Sequence, residues 1–267
     1  MGPATGIRAR SRTRPVEDGA VPDPIFAEPR LAAVYDAFDG ERGDLDLYVG
    51  LVDELDARTV LDVGCGTGSL ACRLAQLAIA VVGVDPAAAS LEVARGKPGA
   101  DRVRWVLGTA VDAGAVGADL AVMTGNVAQV FLGDDDWRQV LVAIRAALRP
   151  GGWLAFETRD PARRAWERWT PTGTRRTLDV PAAGRVTAWT DLVSEDLPLV
   201  SFRHHWAFDA DGAELTSDST LRFRSQDEIR SSLADAGFEV ADIRDAPDRP
   251  GLEWVFLASA PDREAPA

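Results

Sequence analysis

Hydrophobic positions along the chain change period several times, and each change marks an element. Leu31, Val34, Tyr35 and Phe38, then Leu45, Tyr48, Val49 and Val52, recur at helical spacing. Gly40 and Gly43 part them, so residues 25–58 read as a cap of two helices. Thr59 to Val63 is a short apolar run of the kind a buried parallel strand needs. Leu70, Leu74 and Leu77 then return to helical spacing, with Ala71, Ala75 and Ala78 beside them. A second apolar run, Ile79 to Val84, ends at Asp85-Pro86. Ala87 to Arg95 reads as a helix, and Val103 to Leu107 and Ala118 to Met123 as further strands. A helix opens at Asp134-Asp135-Asp136, acids at the positive end of its dipole, and runs to Leu148. A turn over Leu148 to Gly152 and a fifth strand follow, completing an α/β alternation over residues 59–158.

Beyond Glu157 the period drops to two. Val186–Val193, Leu199–Phe208 and Glu214–Phe223 alternate apolar and polar residues, and Asp211-Gly212 supplies a hairpin turn. Residues 159–224 are therefore expected to form an antiparallel insertion of about three strands over the carboxyl edge of the sheet. Ser225 with Glu228 forms a capping box, Gly237 stops that helix, and Phe238–Arg244 and Leu252–Ala260 are the last strands, within residues 225–267. Residues 1–24 are rich in Gly, Pro, Ala and Arg without periodicity, and read as a disordered basic tail.

The junction between the first strand and its helix carries the chemistry. Val60-Leu61-Asp62-Val63-Gly64-Cys65-Gly66-Thr67-Gly68 puts three alternating glycines where the chain must turn sharply and let a ligand approach backbone. A dinucleotide fingerprint would be G-x-G-x-x-G, but Ser69 stands at the third position. Asp62 before the loop suits an ammonium or a sulfonium better than a pyrophosphate. Asp85 lies about 20 residues past the first glycine, the spacing at which an acid binds ribose hydroxyls. Both Ser69 and Asp62 count against a nicotinamide-dependent oxidoreductase, which stays as a weaker alternative. Two cysteines, Cys65 and Cys72, match no zinc or redox spacing, so no metal site is expected.

Val60 to Gly68 resembles motif I of the class I S-adenosylmethionine-dependent methyltransferases, and Leu148-Arg149-Pro150-Gly151-Gly152 resembles the family's turn before the fifth strand. The resemblance implies a Rossmann-like, doubly wound α/β fold. Its seven-stranded sheet would be mostly parallel, with the last strand inserted antiparallel. It implies S-adenosylmethionine as cofactor and a small-molecule methyl acceptor, with transfer to an O, N or C atom. A non-catalytic binding module on the same fold is the alternative from another class. Cofactor contacts would come from Asp62, Gly64, Cys65, Gly66 and Gly68, and from Asp85 and Pro86 on the ribose side. Thr109 and Ala110, with Asp112 as a substitute, fall where the family flanks the adenine. Thr124 to Gln129 resembles motif IV, where Asn126 or Gln129 would orient cofactor or acceptor, without the N-P-P-Y of enzymes that methylate DNA amines. From the cap, Tyr35 or Tyr48 would offer an aromatic face to a cation. On the acceptor side, Arg159, His204 and Tyr48 are the candidate catalytic residues. His204 and His205 are the only histidines and face opposite sides of one strand, so at most one reaches the cleft.

Charge narrows the partners. A net charge of -13 argues against a nucleic-acid groove. No apolar run reaches transmembrane length, and no signal peptide opens the chain, so a cytoplasmic protein away from membranes is expected.

Overall fold

Continuous apolar runs need cover on both faces, and the chain supplies it with helices on each side of one sheet. The computed structural model describes residues 21–261. Three helices open it: α1 (Pro24–Ala27), α2 (Pro29–Asp39) and α3 (Leu45–Glu54). The alternation then runs β1 (Thr59–Val63), α4 (Ser69–Gln76), β2 (Ala80–Asp85), α5 (Ala88–Arg95) and β3 (Val103–Leu107). It continues through α6 (Ala110–Ala113), β4 (Ala118–Met123), α7 (Asp134–Ala147) and β5 (Leu148–Arg159). Short α8 (Pro171–Thr174) leads into β6 (Arg176–Val180), β7 (Gly184–Asp196), β8 (Leu199–Phe208) and β9 (Ala213–Arg222). Helix α9 (Gln226–Asp235) and strands β10 (Glu239–Asp245) and β11 (Glu253–Ala260) follow.

The main sheet has seven strands in the order β10-β11-β5-β4-β1-β2-β3. Its pairs are parallel except that β11 runs antiparallel to both β5 and β10, as the family resemblance implied. One face buries Leu61, Val63, Met123 and Phe156 against Trp137, Leu141 and Ile144 of α7 and Ile229 and Leu233 of α9. The other buries Val60, Leu120, Val122 and Ala155 against Leu51 and Val52 of α3 and Leu70 and Leu74 of α4. Strand order reverses at β1, which pairs with β2 on one side and β4 on the other. The crevice beyond the carboxyl ends at such a reversal is where open α/β sheets bind ligands.

The insertion is a separate antiparallel sheet of four strands, β6-β7-β8-β9, where the sequence predicted about three. The missed strand, β6, is short and has only Leu178 and Val180 as apolar side chains, too few to establish a period. Inner-face residues Val186, Trp206 and Phe208 pack against Ile25, Leu31 and Val34 of α1 and α2. The cap is thus the layer that joins insertion to core. Ile25 N–H donates to Ser217 Oγ at 3.0 Å, and Ser90 Oγ of α5 donates to the Phe26 carbonyl at 3.0 Å. Strand β5 also starts earlier than predicted, inside the Leu148–Gly152 turn. Most of the expected basic tail, residues 1–20, lies outside the described residues. Among the described residues, no helix is long and apolar enough to cross a membrane.

Candidate active site

The glycine bend gives each of its glycines a different task. Gly64 has φ +70°, and a Cβ there would sit 2.6 Å from Val127 Cγ2, so it allows the motif IV segment to press against the bend. Gly68 has φ +76°, and its Cβ would meet the Trp105 ring at 2.5 Å and Ala94 at 2.8 Å, so it serves packing of α4. Only at Gly66 (φ +52°) would a Cβ find open space. Of the three, Gly66 is the one whose Cβ position faces open space, while at Gly64 and Gly68 packing within the protein also requires glycine. Cys65 turns its sulfur toward Gly83 of β2, where a Cβ would come within 3.0 Å of it, and burial raises its thiol pKa. It can offer a ligand only backbone.

Asp62 is buried beneath this bend and its Oδ1 has no hydrogen-bond partner. Burial, reinforced by the neighbouring Asp85 carboxylate and opposed by Arg42, pushes its pKa up to about 7. Asp85 turns inward. Its Oδ2 accepts from Gly66 N–H and its Oδ1 from Ala87 N–H, both at 2.8 Å. Two backbone N–H groups thus hold this carboxylate at the end of β2 in one orientation, with lone pairs left over for ribose hydroxyls. Pro86 beside it is exposed. Thr109 and Asp112 form the capping box of α6, the Asp112 carboxylate accepting from Thr109 N–H at 2.7 Å. Both side chains are therefore committed to the helix start, and Ala110 is buried in the core.

From the cap, Asp36 of α2 accepts from Thr67 Oγ1 at 2.6 Å and pairs with Lys97 Nζ at 2.6 Å. Lys97 also donates to Ser69 Oγ at 2.9 Å. Helix α2 is thereby fastened to the glycine bend. Arg42 follows α2, holds Asp39 at 2.7 Å and Asp44 at 2.8 Å, and faces Asp62 from the cap. Tyr35 packs on Phe26 with ring centroids 5.5 Å apart, and burial beside Asp39 raises its phenol.

Beyond β4 and β5 lies a buried polar cluster that the sequence predicted only in part. Glu157 ends the apolar run of β5 and is buried. Tyr48 donates its hydroxyl to Glu157, and Asn126 donates its backbone N–H at 3.0 Å. Burial pushes Glu157 up to about 7. Tyr48 itself is almost fully buried among the apolar residues of α3 and β5, so it does not present its ring to the cleft. Its hydroxyl hydrogen bond is to Glu157. Glu253 of β11 is held by Arg249 at 2.9 Å and Arg159 at 3.4 Å. Arg159 also donates to Gln129 Oε1 at 3.1 Å and lies over the Trp169 ring. Trp169 packs on Phe202, and Phe202 on His204. His204 shares the strand face of Phe202 and Trp206, opposite to His205, with Nδ1 2.8 Å from Thr190 Oγ1. Burial and His205 push its pKa down to about 4, so it is neutral at physiological pH and too weak a base to serve as the one expected. Glu157 and Glu253 were missed. For Glu157 the available signal was an acid closing an apolar run, the feature that marked Asp85; Glu253 opens its strand and carries no such signal.

A buried carboxylate oxygen without a donor, an open glycine beside it and a second carboxylate held inward fit a ligand that carries a cation at one end and a ribose at the other. Residues 60–152 match the model of a methyltransferase domain. Uncharacterized methyltransferases of Mycobacterium tuberculosis and Mycobacterium bovis are each 32% identical over 198 residues, covering 67% of this chain and 74% of theirs. Among solved structures, an amino pentose methyltransferase of Micromonospora echinaspora with S-adenosylmethionine bound superposes with a TM-score of 0.66 at 24% identity, covering 85% and 96% of the two chains. A sugar N-methyltransferase of Streptoalloteichus superposes with a TM-score of 0.67 at 19% identity, covering 96% and 100%. These two likenesses concern the fold. The chain belongs to the class I S-adenosylmethionine-dependent methyltransferases. It is an enzyme, and S-adenosylmethionine is its methyl donor.

Proposed function

We propose that the chain transfers a methyl group to an O, N or C atom of a small molecule held between the motif IV segment and the inner face of the insertion sheet. One observation carries this reading. Asn126, Gln129, Arg159, Trp169, Phe202 and His204 form a continuous polar and aromatic seam between the donor-side bend and the insertion. Two solved neighbours act on sugars by their descriptions, which supports an acceptor of that size.

The bound donor supplies an activated methyl on sulfur, and the rest falls to alignment. Asp62 receives the ammonium of the donor's amino-acid end, and Gly66 lets that end lie against backbone. Asp85 receives the ribose hydroxyls while its own N–H partners keep it from turning away. The cap, fastened by Asp36, keeps water from the sulfonium. Gln129 is held by Arg159 and by the Arg222 carbonyl, so it braces the segment that lines the seam. Incubation with methyl-labelled donor and a panel of aminosugars, sugars, phenols and carbon acids, read by mass spectrometry, tests the proposal. Donor binding without turnover on every class would favour the non-catalytic alternative.

A further inference from the structure

Among the described residues, just two buried side-chain oxygens have no hydrogen-bond partner: Asp62 Oδ1 and Asn126 Oδ1. Both lie at the carboxyl ends of the strands that meet at the reversal of the sheet. Asp62 has a use in the donor's ammonium. Asn126 has none yet.

Asn126 is held unusually firmly for a loop residue. It sits at φ +62°, just after Gly125 at φ +70°, a region Asn tolerates better than most side chains. Its backbone N–H donates to Glu157, and its Nδ2 lies 3.4 Å from both oxygens of Glu253. Glu253 is itself fixed by Arg249 and Arg159. Reversing the carboxamide would set its oxygen against that carboxylate, so the amide has one orientation. Oδ1 is thereby aimed away from Glu253, only 3% of the residue is exposed, and a buried acceptor in this state calls for a donor. Val127, the next residue, touches Gly64 of the donor bend. Asn126 therefore stands between donor and insertion.

We infer that Asn126 Oδ1 accepts an N–H of the methyl acceptor, which is a primary or secondary amine. The inference deepens the proposed function and rests on it. A neutral amine attacks with its lone pair while one N–H stays on Oδ1. The new N–CH3 bond forms as the S–CH3 bond breaks, the bonding pair goes to sulfur, and the product leaves as an ammonium that sheds its proton to solvent. No base is needed at the attacking atom. This agrees with the surroundings: both Glu157 oxygens already accept hydrogen bonds, and His204 is tied to Thr190.

The test uses sinefungin, a donor analogue with an amine where the transferable methyl stands, against S-adenosylhomocysteine, which has nothing there. Calorimetry on the wild type should show tighter binding of sinefungin. Asn126→Gly keeps the positive φ but removes the carboxamide. It should bind S-adenosylhomocysteine within about twofold of wild type and lose about tenfold of the preference for sinefungin, the size of one hydrogen bond. Melting temperatures of wild type and Asn126→Gly, read beside the retained binding of S-adenosylhomocysteine, show that the variant folds. An unchanged preference in Asn126→Gly would overturn the inference. So would an equal loss for both ligands, which would assign Oδ1 to the ammonium they share. A wild type that binds neither ligand would remove the donor assignment itself, a different failure.

Discussion

Replacing Asp62 by Asn should make the free enzyme more stable and the enzyme a worse binder. The substitution is close to isosteric, so packing beneath the bend is kept while the charge is lost. In the folded chain, burial and Asp85 raise the Asp62 pKa from 3.8 to about 7. The sign follows from linkage. A carboxyl with a raised folded pKa keeps its proton in the native state while the unfolded state has released it. Its contribution is therefore fully present below about pH 4 and is lost as pH rises toward about 7. A gap of roughly three units corresponds to about 4 kcal/mol across that window. Near pH 8 the wild type carries the whole cost and the Asn variant carries none. Even half of this, about 2 kcal/mol, would raise the melting temperature by about 4–8 °C for a chain of this size. Donor binding moves the other way. A charge-assisted hydrogen bond to the ammonium contributes about 1.5–3 kcal/mol, so affinity for S-adenosylhomocysteine should fall by roughly 10- to 150-fold. Thermal melts of the free enzyme at about pH 5 and about pH 8, paired with calorimetric titration at the higher pH, measure both effects. An Asn variant no more stable at high pH, or one that binds as tightly as wild type, would refute the role assigned to Asp62.

Three further outcomes follow from the same geometry. Gly64→Ala sets a Cβ 2.6 Å from Val127 at φ +70°, and should cost about 1–3 kcal/mol in denaturant unfolding. Gly66→Ala meets nothing, so it should cost about 1 kcal/mol from backbone strain alone yet impair donor binding, and Val127→Ala should relieve only the first variant. Asp85→Ala frees the Gly66 and Ala87 N–H groups; by calorimetry it should lose at least about 150-fold in affinity for S-adenosylhomocysteine, as two hydrogen bonds to a charged group of about 1.5–3 kcal/mol each imply, and full retention would remove the ribose assignment. Asp36→Asn weakens a part-exposed pair with Lys97, so stability should change by less than about 1 kcal/mol, while hydrogen exchange in α2 speeds measurably.

Legibility followed the range of the interactions. The parallel core was readable because buried strands need continuous apolar runs and because Gly64, Gly66, Gly68 and Asp85 sit at spacings that sequence preserves. The Ser225–Glu228 capping box was readable for the same local reason. What failed was whatever depends on a partner distant in sequence. Tyr48 was singled out for its ring, but Glu157, 109 residues away, takes its hydroxyl. Thr109 is the local exception: Asp112, three residues on, claims it for a helix cap, a spacing that the sequence itself displays. His204 is weakened as a base by burial within the insertion sheet, beside Thr190 and Phe202. Glu253 could not be foreseen at all, because β11 reaches the site only by inserting antiparallel beside β5.

The most direct measurement is a crystal structure of the enzyme with S-adenosylhomocysteine. The account predicts ribose hydroxyls on Asp85, the amino-acid end against Gly66 with its ammonium toward Asp62 Oδ1, and the sulfur facing Asn126. Ligand density elsewhere, or the bend filled by protein side chains with Asp85 turned to solvent, would contradict it.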